Sequence, residues 1–550
     1  MKNLKFKALL TGVLCITLLA AGCGSSQDAS SDANESQKED TVQESADTAD
    51  MESADAKDEN SESVAEESSA ESDTAESLGV SLSKDTVYDY KYSDTTDDRL
   101  IMKVQYDEFT VSTDNSDISD VFDAVNEVSK SGADEFINTY GEDAESAIEE
   151  YGYDDSYYTY EHSLGVKRLD NKVISVYVYE SSFAMGAHGY AWSNGYNYDT
   201  KTGQLLEDDD IFAGDNSALA DGLEELLLTK YDAAIFFNED VSEDILPILE
   251  DDEYSGLRYI VGQEGIEVIF NPYDIAHYAA GAQQVTIPWG SDLLNNDYAP
   301  EDSSGSIEAL YNGESIDVSS TGRSLEISWW EGEYGDLEFY FMYDGDYENA
   351  ISRTYDEAYN VDAYVLNDDG SQYLWLNLSG LNDYQYLCIF PLVSGQVFDM
   401  EDAFSIDSDY GYGFYGTVPL YGEEFRMYTR TDLMGTLNVY DMFTVGDNGI
   451  PSRTGEWLYQ EGEYVLTLKE DLEAEVLDDE DADSGKTETL SSGETFTYFR
   501  NDGESIVDLK ASDGRIVRIY LEKESDDYYL HNMYNGENIE DIFDGIVYAG

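Results

Sequence analysis

The sequence predicts an α+β domain followed by mainly-β domains of sandwich or barrel type, all behind a disordered acidic N-terminal tether. Three observations carry this expectation. Between residues 86 and 298, strand-like and helix-like segments are interleaved without strict βαβ alternation. From residue 307 to 470, short runs rich in Tyr, Phe and Trp are divided by Gly, Asp and Asn, with no helical period. From Gly24 to Asp85 the chain is dominated by Ser, Asp, Glu, Ala, Thr and Asn, and no aromatic residue occurs between Phe6 and Tyr88. A segment so poor in apolar surface cannot offset its ordering entropy, and its like charges extend it.

The chain opens with three lysines in Met1–Lys7, a mostly apolar run over Ala8–Ala21, then Gly22 and Cys23. This is the layout of a secretory signal, and at about 14 residues the apolar run is short for a permanent span. Leu19-Ala-Ala-Gly-Cys23 also resembles a bacterial lipobox. The resemblance implies a lipoprotein signal peptide over residues 1–22, with palmitate and related lipid on Cys23 as the new N-terminus. The expected address is the outer face of the bacterial cytoplasmic membrane. Lipid is the expected anchor, since no other stretch approaches about 18 consecutive apolar residues. Residues 23–85 then form the tether.

Folded sequence is expected from Thr86. Arg99–Tyr106 has strand character, and after Ser116 as N-cap the spacing Ile118, Val121, Phe122, Val125, Val128 predicts a helix. Val173–Tyr179 reads as a strand, and Tyr196–Gln204 as a strand entering a turn at Gly203. Leu219, Leu223, Leu226 and Leu227 mark a second amphipathic helix. Tyr259–Phe270 reads as a hairpin turning near Gln263 and Glu264, and Val285–Trp289 as a closing strand. Ala299–Ser306 is a polar linker. Beyond it, Ser324–Trp330, Leu337–Phe341, Leu374–Leu378 and Leu387–Phe390 are strands of a β-rich domain, residues 307–470. A small C-terminal β module, residues 471–550, contains Phe496–Leu509 and Arg515–Tyr520 and is expected to close with Ile539–Phe543.

The 550 residues hold 120 Asp and Glu against 28 Lys and Arg, a net charge of -92. Such a field argues against nucleic acid, whose phosphates need clustered cations, and against docking on anionic headgroups through a basic patch. It favours cationic partners, or divalent cations. Of three cysteines, Cys15 lies in the signal and Cys23 is the lipidation position. Cys388, left alone in an apolar run, can form neither an internal disulfide nor a Cys-based zinc site, and reads as a packed structural thiol.

Four histidines are present, at 162, 188, 277 and 531. A set of His188, His277 and Asp274 can be drawn as a zinc site, but no HExxH-like spacing supports it, and turn-stabilising roles are the default. No nucleophile elbow, phosphate loop or dinucleotide fingerprint occurs. Asp479-Glu-Asp-Ala-Asp-Ser-Gly485 spaces its acids as calcium loops do, yet its Gly comes one position late and Leu490 stands where a bidentate Glu belongs. It reads as a solvated acidic loop, with calcium the alternative; no other cofactor is expected. Trp329 and Trp330, adjacent in a strand, point to opposite faces, so one at most is exposed.

Several blocks occur in order: Gly186-Ala-His-Gly189, Tyr196–Gly203, Leu205–Phe212, Gly265–Gly281 and Val285–Pro288. Together they resemble the extracytoplasmic domain of unknown function shared by RsiV-type anti-sigma factors and the peptidoglycan deacetylase PdaC, over residues 86–289. The resemblance implies an α+β fold and singles out Gly186, His188, Gly203, Pro272, Tyr273 and Gly281 as motif positions without an assigned role. RsiV-type members bind lysozyme, a small basic protein. Here a lipobox replaces the cytoplasmic segment and spanning helix of an anti-sigma factor. Nothing after Trp289 supplies the Asp and His ligands of a deacetylase. The expectation is therefore a non-enzymatic, membrane-anchored binding or sensing lipoprotein for a cationic extracellular protein or peptide. The alternative is a cell-wall glycan-binding protein or peptidoglycan-modifying enzyme whose β domains present sugar sites.

Overall fold

Val80 and Leu82 alternate with polar neighbours and are buried against the first helix, so order begins earlier than Thr86: strand β1 runs Ser81–Tyr92. The computed structural model describes residues 77–93, 99–151, 157–186, 188–250, 256–301, 305–332, 336–346, 349–355, 358–380, 384–392, 411–525 and 530–548. The expected signal peptide, Cys23 and the tether up to residue 76 lie outside the described residues.

β2 (Leu100–Ser112) pairs antiparallel with β1, and helix α1 (Ser116–Tyr151) then carries the chain back so that β3 (Tyr158–Leu169) lies parallel to β2. β4 (Val173–Phe183), β5 (Tyr190–Asp199) and the two-residue β6 (Gln204–Leu205) extend the sheet antiparallel. α1 differs from its expected form at two points. Its cap is Asn115, whose Oδ1 accepts from the Asp117 amide at 2.9 Å, one residue before Ser116. Ile118, Val121, Phe122 and Val125 are buried as expected, but Val128 is 38% exposed. The buried face continues four residues on from Val125, through Ser129, then Ala133 and Phe136.

Ser129 can be buried because its hydroxyl donates to the Asp107 carbonyl at 2.7 Å and meets His162 Nδ1 at 2.9 Å. Asp107 in turn accepts from Thr86 Oγ1 at 2.7 Å and from the Leu164 amide at 3.0 Å, with Lys84 Nζ 3.4 Å away. Burial pushes the His162 imidazole down to about 4, against the opposing pull of the Asp107 carboxylate.

After β6 come α2 (Asp208–Ile211), α3 (Asn216–Lys230) and α4 (Ser242–Glu250), then a three-stranded sheet of β7 (Arg258–Val261), β8 (Gly265–Phe270) and β9 (Gln283–Pro288). Asp215 caps α3, and Leu219, Leu223 and Leu227 face a core shared with Ile245 of α4 and Val268, Val285 and Ile287 of the small sheet. β7 and β8 form the expected hairpin, closed from Gly262 N to Gly265 O at 2.9 Å.

The remaining chain is layered. β10 (Ser306–Leu310), β15 (Ala358–Asp368), β16 (Ser371–Gly380) and β17 (Gln385–Pro391) make one four-stranded sheet. β11 (Glu314–Val318), β12 (Arg323–Glu331), β13 (Leu337–Tyr343) and β14 (Ile351–Tyr355) make a second, and the two share one core, a sandwich. Leu374, Trp375 and Leu376 of β16 are all fully buried, because this strand is covered on both faces. Leu374 and Leu376 face the sandwich, while Trp375 packs on a third sheet beginning at Phe425. That third sheet corrects the expected boundary at residue 471. Leu458–Tyr459 pairs with Arg500–Asn501, and Val465–Thr467 with Thr495–Thr497, so strands from both sides of the boundary share one sheet and one core. Ile539–Ile542 is a helical turn, and the pair Phe543–Asp544 that follows lies on Thr467–Leu468 rather than closing a separate barrel. β18 (Thr417–Val418) reaches back to pair with Leu82–Ser83 of β1. The described residues fall in one compact unit.

The depressed His162 gives stability a defined pH response. A folded state that refuses a proton which the unfolded chain accepts is stable above pH 6.5 and loses that contribution as pH falls toward 4, by about 3 kcal/mol in all. Urea unfolding of the native chain and of His162→Gln across this interval is expected to show the glutamine variant with the flatter profile; equal slopes would disprove the assignment.

Candidate functional site

Most of the singled-out motif positions meet at one end of the α+β region, and two asparagines place them. Asn271, just after β8, is buried. Its Oδ1 accepts from the Ser193 amide at 2.7 Å and its Nδ2 donates to the Ser193 carbonyl at 3.0 Å, so one side chain completes the open edge of β5 as a neighbouring strand would. Asn197 acts in the reverse sense: from β5 its side chain reaches the backbone of β7, donating to the Tyr259 carbonyl at 2.8 Å and accepting from the Val261 amide at 2.9 Å. Between them a Cβ on Gly195 would lie 2.0 Å from the Tyr259 carbonyl oxygen, so only glycine permits this approach of β7.

Asp274 then accepts from the Asn271 amide at 2.7 Å and pairs with Arg258 at 2.9 Å. Burial pushes its carboxyl up, and Arg258 and the amide pull it back. This tight turn drives Tyr273 to φ 77°, a costly conformation for an aromatic residue, and leaves it 58% exposed. Tyr278 donates to the Gly189 carbonyl at 2.8 Å and stacks on the His188 ring at 4.0 Å, with the Tyr273 ring 5.6 Å away. Met185, also at positive φ, and Phe237, edge-on to His277 at 4.8 Å, extend the exposed apolar tip. Gly186, His188, Pro272, Tyr273 and Gly281 thus belong to two adjoining loops. Gly203 lies elsewhere: it turns the chain after β5 at φ 62°, where a Cβ would stand 3.2 Å from the Asp117 carbonyl at the start of α1.

A second exposed aromatic group lies on β1. β18 pairs only with Leu82 and Ser83, and Lys84 N donates to the Gly416 carbonyl at 2.7 Å. Among the described residues no strand but β2 pairs with β1 beyond that point. There Tyr88, Tyr90 and Tyr92 are 53%, 44% and 53% exposed on one face, and the first two rings lie parallel at 6.0 Å. On the other face Glu108, Asp134 and Asp89 surround Tyr106, whose hydroxyl is raised by burial and then by these three carboxylates. α1 behind the sheet exposes Asp117, Asp120, Asp123, Glu127, Asp134 and Glu135, and Lys130 is its single base. Tyr179 of β4 has its hydroxyl raised by burial and then by Glu161, against a hydrogen bond from Ser181. The β1 row had a signal in the sequence, the period-two spacing Tyr88, Tyr90, Tyr92, which lies just after the expected start of folded chain at Thr86, ahead of the first expected strand at Arg99.

His188, His277 and Asp274 point to different partners, and among the described residues no three or more His, Cys, Asp or Glu gather as a metal requires. Ser129 and His162 touch but are shut from solvent. In the acidic loop 479–485, the Glu480 and Asp483 carbonyls accept from Arg500 and Arg518, both of which clasp the buried Asp508. Cys388 is half-buried against the sandwich core, and burial raises its thiol. Trp329 packs on that core while Trp330, 44% exposed, stacks on Tyr340 at 4.2 Å.

Residues 209–290 match the profile of a family described as protein of unknown function (DUF3298). The match lies within the stretch whose blocks carry the resemblance, from α2 to the end of β9, and includes Pro272, Tyr273 and Gly281. Among curated proteins none matches the chain. Two crystal structures of DUF3298 family members are similar to part of it. One, from Bacteroides fragilis NCTC 9343, is 18% identical over 40% of this chain and 96% of its own, with a TM-score of 0.31. The other, from Pseudomonas aeruginosa PAO1, is 13% identical over 41% of this chain and 100% of its own, with a TM-score of 0.28.

If Asn271 holds the tip in place, Asn271→Ala leaves the Ser193 amide and carbonyl unpaired in a buried site. The expected loss is about 2–4 kcal/mol in denaturant unfolding, and amide exchange at Ser193 should rise with it. A loss below about 0.5 kcal/mol would show that the loop is held by other contacts.

Proposed function

We propose that this protein is a non-enzymatic, lipid-anchored surface module that binds or senses a cationic extracellular protein or peptide, with lysozyme, a small basic protein, as the model partner. The observation that carries the reading is the edge of the α+β sheet, where exposed tyrosines on one face meet clustered carboxylates on the other. Ammonium and guanidinium groups are attracted both to aromatic faces and to carboxylates. A chain of net charge -92 steers such a partner from a distance. Support for the anchor comes from the basic, apolar and Gly22-Cys23 layout of the N-terminus, which would set the protein on the outer face of the cytoplasmic membrane. No described helix is long and apolar enough to cross a bilayer. A second reading, a cell-wall glycan site, rests on the exposed Trp330–Tyr340 stack of the sandwich.

Calorimetric titration of the full chain with lysozyme and a second basic protein, at about 0.05 and 0.5 M salt, tests the first reading. A 1:1 isotherm that persists at the higher salt is expected. The triple variant Asp120→Lys, Asp123→Lys, Glu127→Lys should weaken it about ten-fold by removing steering charge from α1. Affinity no greater than that of an unrelated acidic domain of equal charge would sink the reading, and binding to isolated glycan insensitive to salt would favour the second.

A further inference from the structure

The open part of β1 has more than side chains to offer. Lys84 N points outward, to the Gly416 carbonyl, and the two-residue period of a strand turns the N–H and C=O groups of Thr86, Tyr88 and Tyr90 the same way. β18 ends its pairing at Ser83, so beyond it these outward groups meet no strand among the described residues. An exposed edge of this kind is a template for another strand.

We infer that the edge of β1 from Asp85 to Tyr92 is a strand-addition site for an extended Lys- or Arg-rich segment, which deepens the reading above by naming how the cationic partner is held. Charge and shape choose the occupant. A strand laid here sends alternate side chains to the two faces of the sheet. On one face they run along Tyr88 and Tyr90, whose rings lie parallel 3° apart. On the other they run beside Asp85 and Asp89, the second of which also pairs with Lys91 of the same strand at 3.1 Å. Basic side chains are accommodated on both, by cation–π contact on the first and by carboxylate pairing on the second. An acidic strand is repelled by the second face, and a purely apolar one leaves the Asp85 carboxylate unused. Main-chain hydrogen bonds supply affinity without demanding a particular sequence.

The test uses the full chain and a capped ten-residue peptide of alternating Arg and Val, beside a copy N-methylated throughout, which keeps every charge and loses every backbone donor. The parent peptide is expected to bind 1:1, and the methylated copy at least ten-fold more weakly. On the protein, Tyr88→Ala removes a ring, whereas Tyr88→Pro also removes an outward N–H without touching the β1–β2 ladder, so the proline variant should bind at least three-fold more weakly than the alanine variant. Circular dichroism checks that the proline variant folds; if it does not, the methylation comparison on the native protein decides alone. Equal binding of parent and methylated peptides overturns strand addition. So does lysozyme binding with no peptide binding, in which case the charge-based reading stands without it. Absence of binding by every basic ligand overturns the proposed function itself, and strand addition with it.

Discussion

A strand edge must be paired or wetted, and the two edges of the seven-stranded sheet meet that requirement in opposite ways. At the β5 edge, the two-residue β6 covers only Tyr198 and Asp199. Beyond it the Asn271 amide pairs the Ser193 backbone, the Asn197 amide reaches from β5 to the backbone of β7, and Gly195 lets β7 close in. That closure fixes the small sheet, the turn at Asp274 and the strained Tyr273. At the β1 edge the cover stops after Leu82 and Ser83. Among the described residues no side chain takes the place of the two asparagines there, and the exposed rings are Tyr88, Tyr90 and Tyr92. One edge is closed by built-in side-chain partners, and the other is the one where strand addition is proposed.

The α+β region and the sandwich are joined by a buried polar seam rather than by a linker alone. Lys167 of β3 meets Glu314 of β11, both nearly excluded from water. The Tyr177 and Tyr311 rings stack at 4.0 Å, with Lys167 Nζ 4.9 Å from the second. Burial pushes the Glu314 carboxyl up to about 7 although Lys167 pulls it down. A buried pair of this kind is weak evidence of net stability, because desolvation offsets its attraction. Its geometric demand is strict, however: an unpaired Lys167 here would be costly. The pair therefore acts as a register mark for how the sandwich sits against β3 and β4, and β18 adds a second such mark by pairing with β1.

Much of this was legible in the sequence because it is periodic. The i, i+3, i+4 spacing of Ile118 to Val125 and of Leu219 to Leu227 marks helices, and the β-branched run at Val173 marks a strand, since burial on one face leaves a pattern. Gly-rich turns and the Asn271–Asp274 block were visible as motif positions, although nothing in the spacing says that Asn271 stands in for a strand. What escaped was non-local. Whether residue 471 begins a new module depends on Leu458–Tyr459 finding Arg500–Asn501, a long-range pairing that no local pattern encodes. The start of β1 escaped because the alternation Leu78, Val80, Leu82 spans only a few residues directly after the long acidic stretch. Trp329 and Trp330 show the reverse case: strand alternation alone places one inside and one outside, and the structure does the same.

The acidity of the chain bears on the open edge in a second way. An exposed edge strand invites self-pairing, and natural sheets resist it with charge. Antiparallel pairing of two β1 edges would bring Asp85 and Asp89 of one copy against the same carboxylates of the other, and like charges opposite each other are destabilising. The wider field, with 120 acidic residues in the chain, opposes the approach of a second copy before contact. The same charges cost nothing, and help, when the incoming strand is basic. Discrimination between self and partner is then a difference of affinities built from a repulsive element as much as an attractive one. Under the proposed strand addition the acid surplus and the uncovered edge would be one device, the charge opposing self-pairing of a tyrosine-rich strand edge that a basic segment could still join.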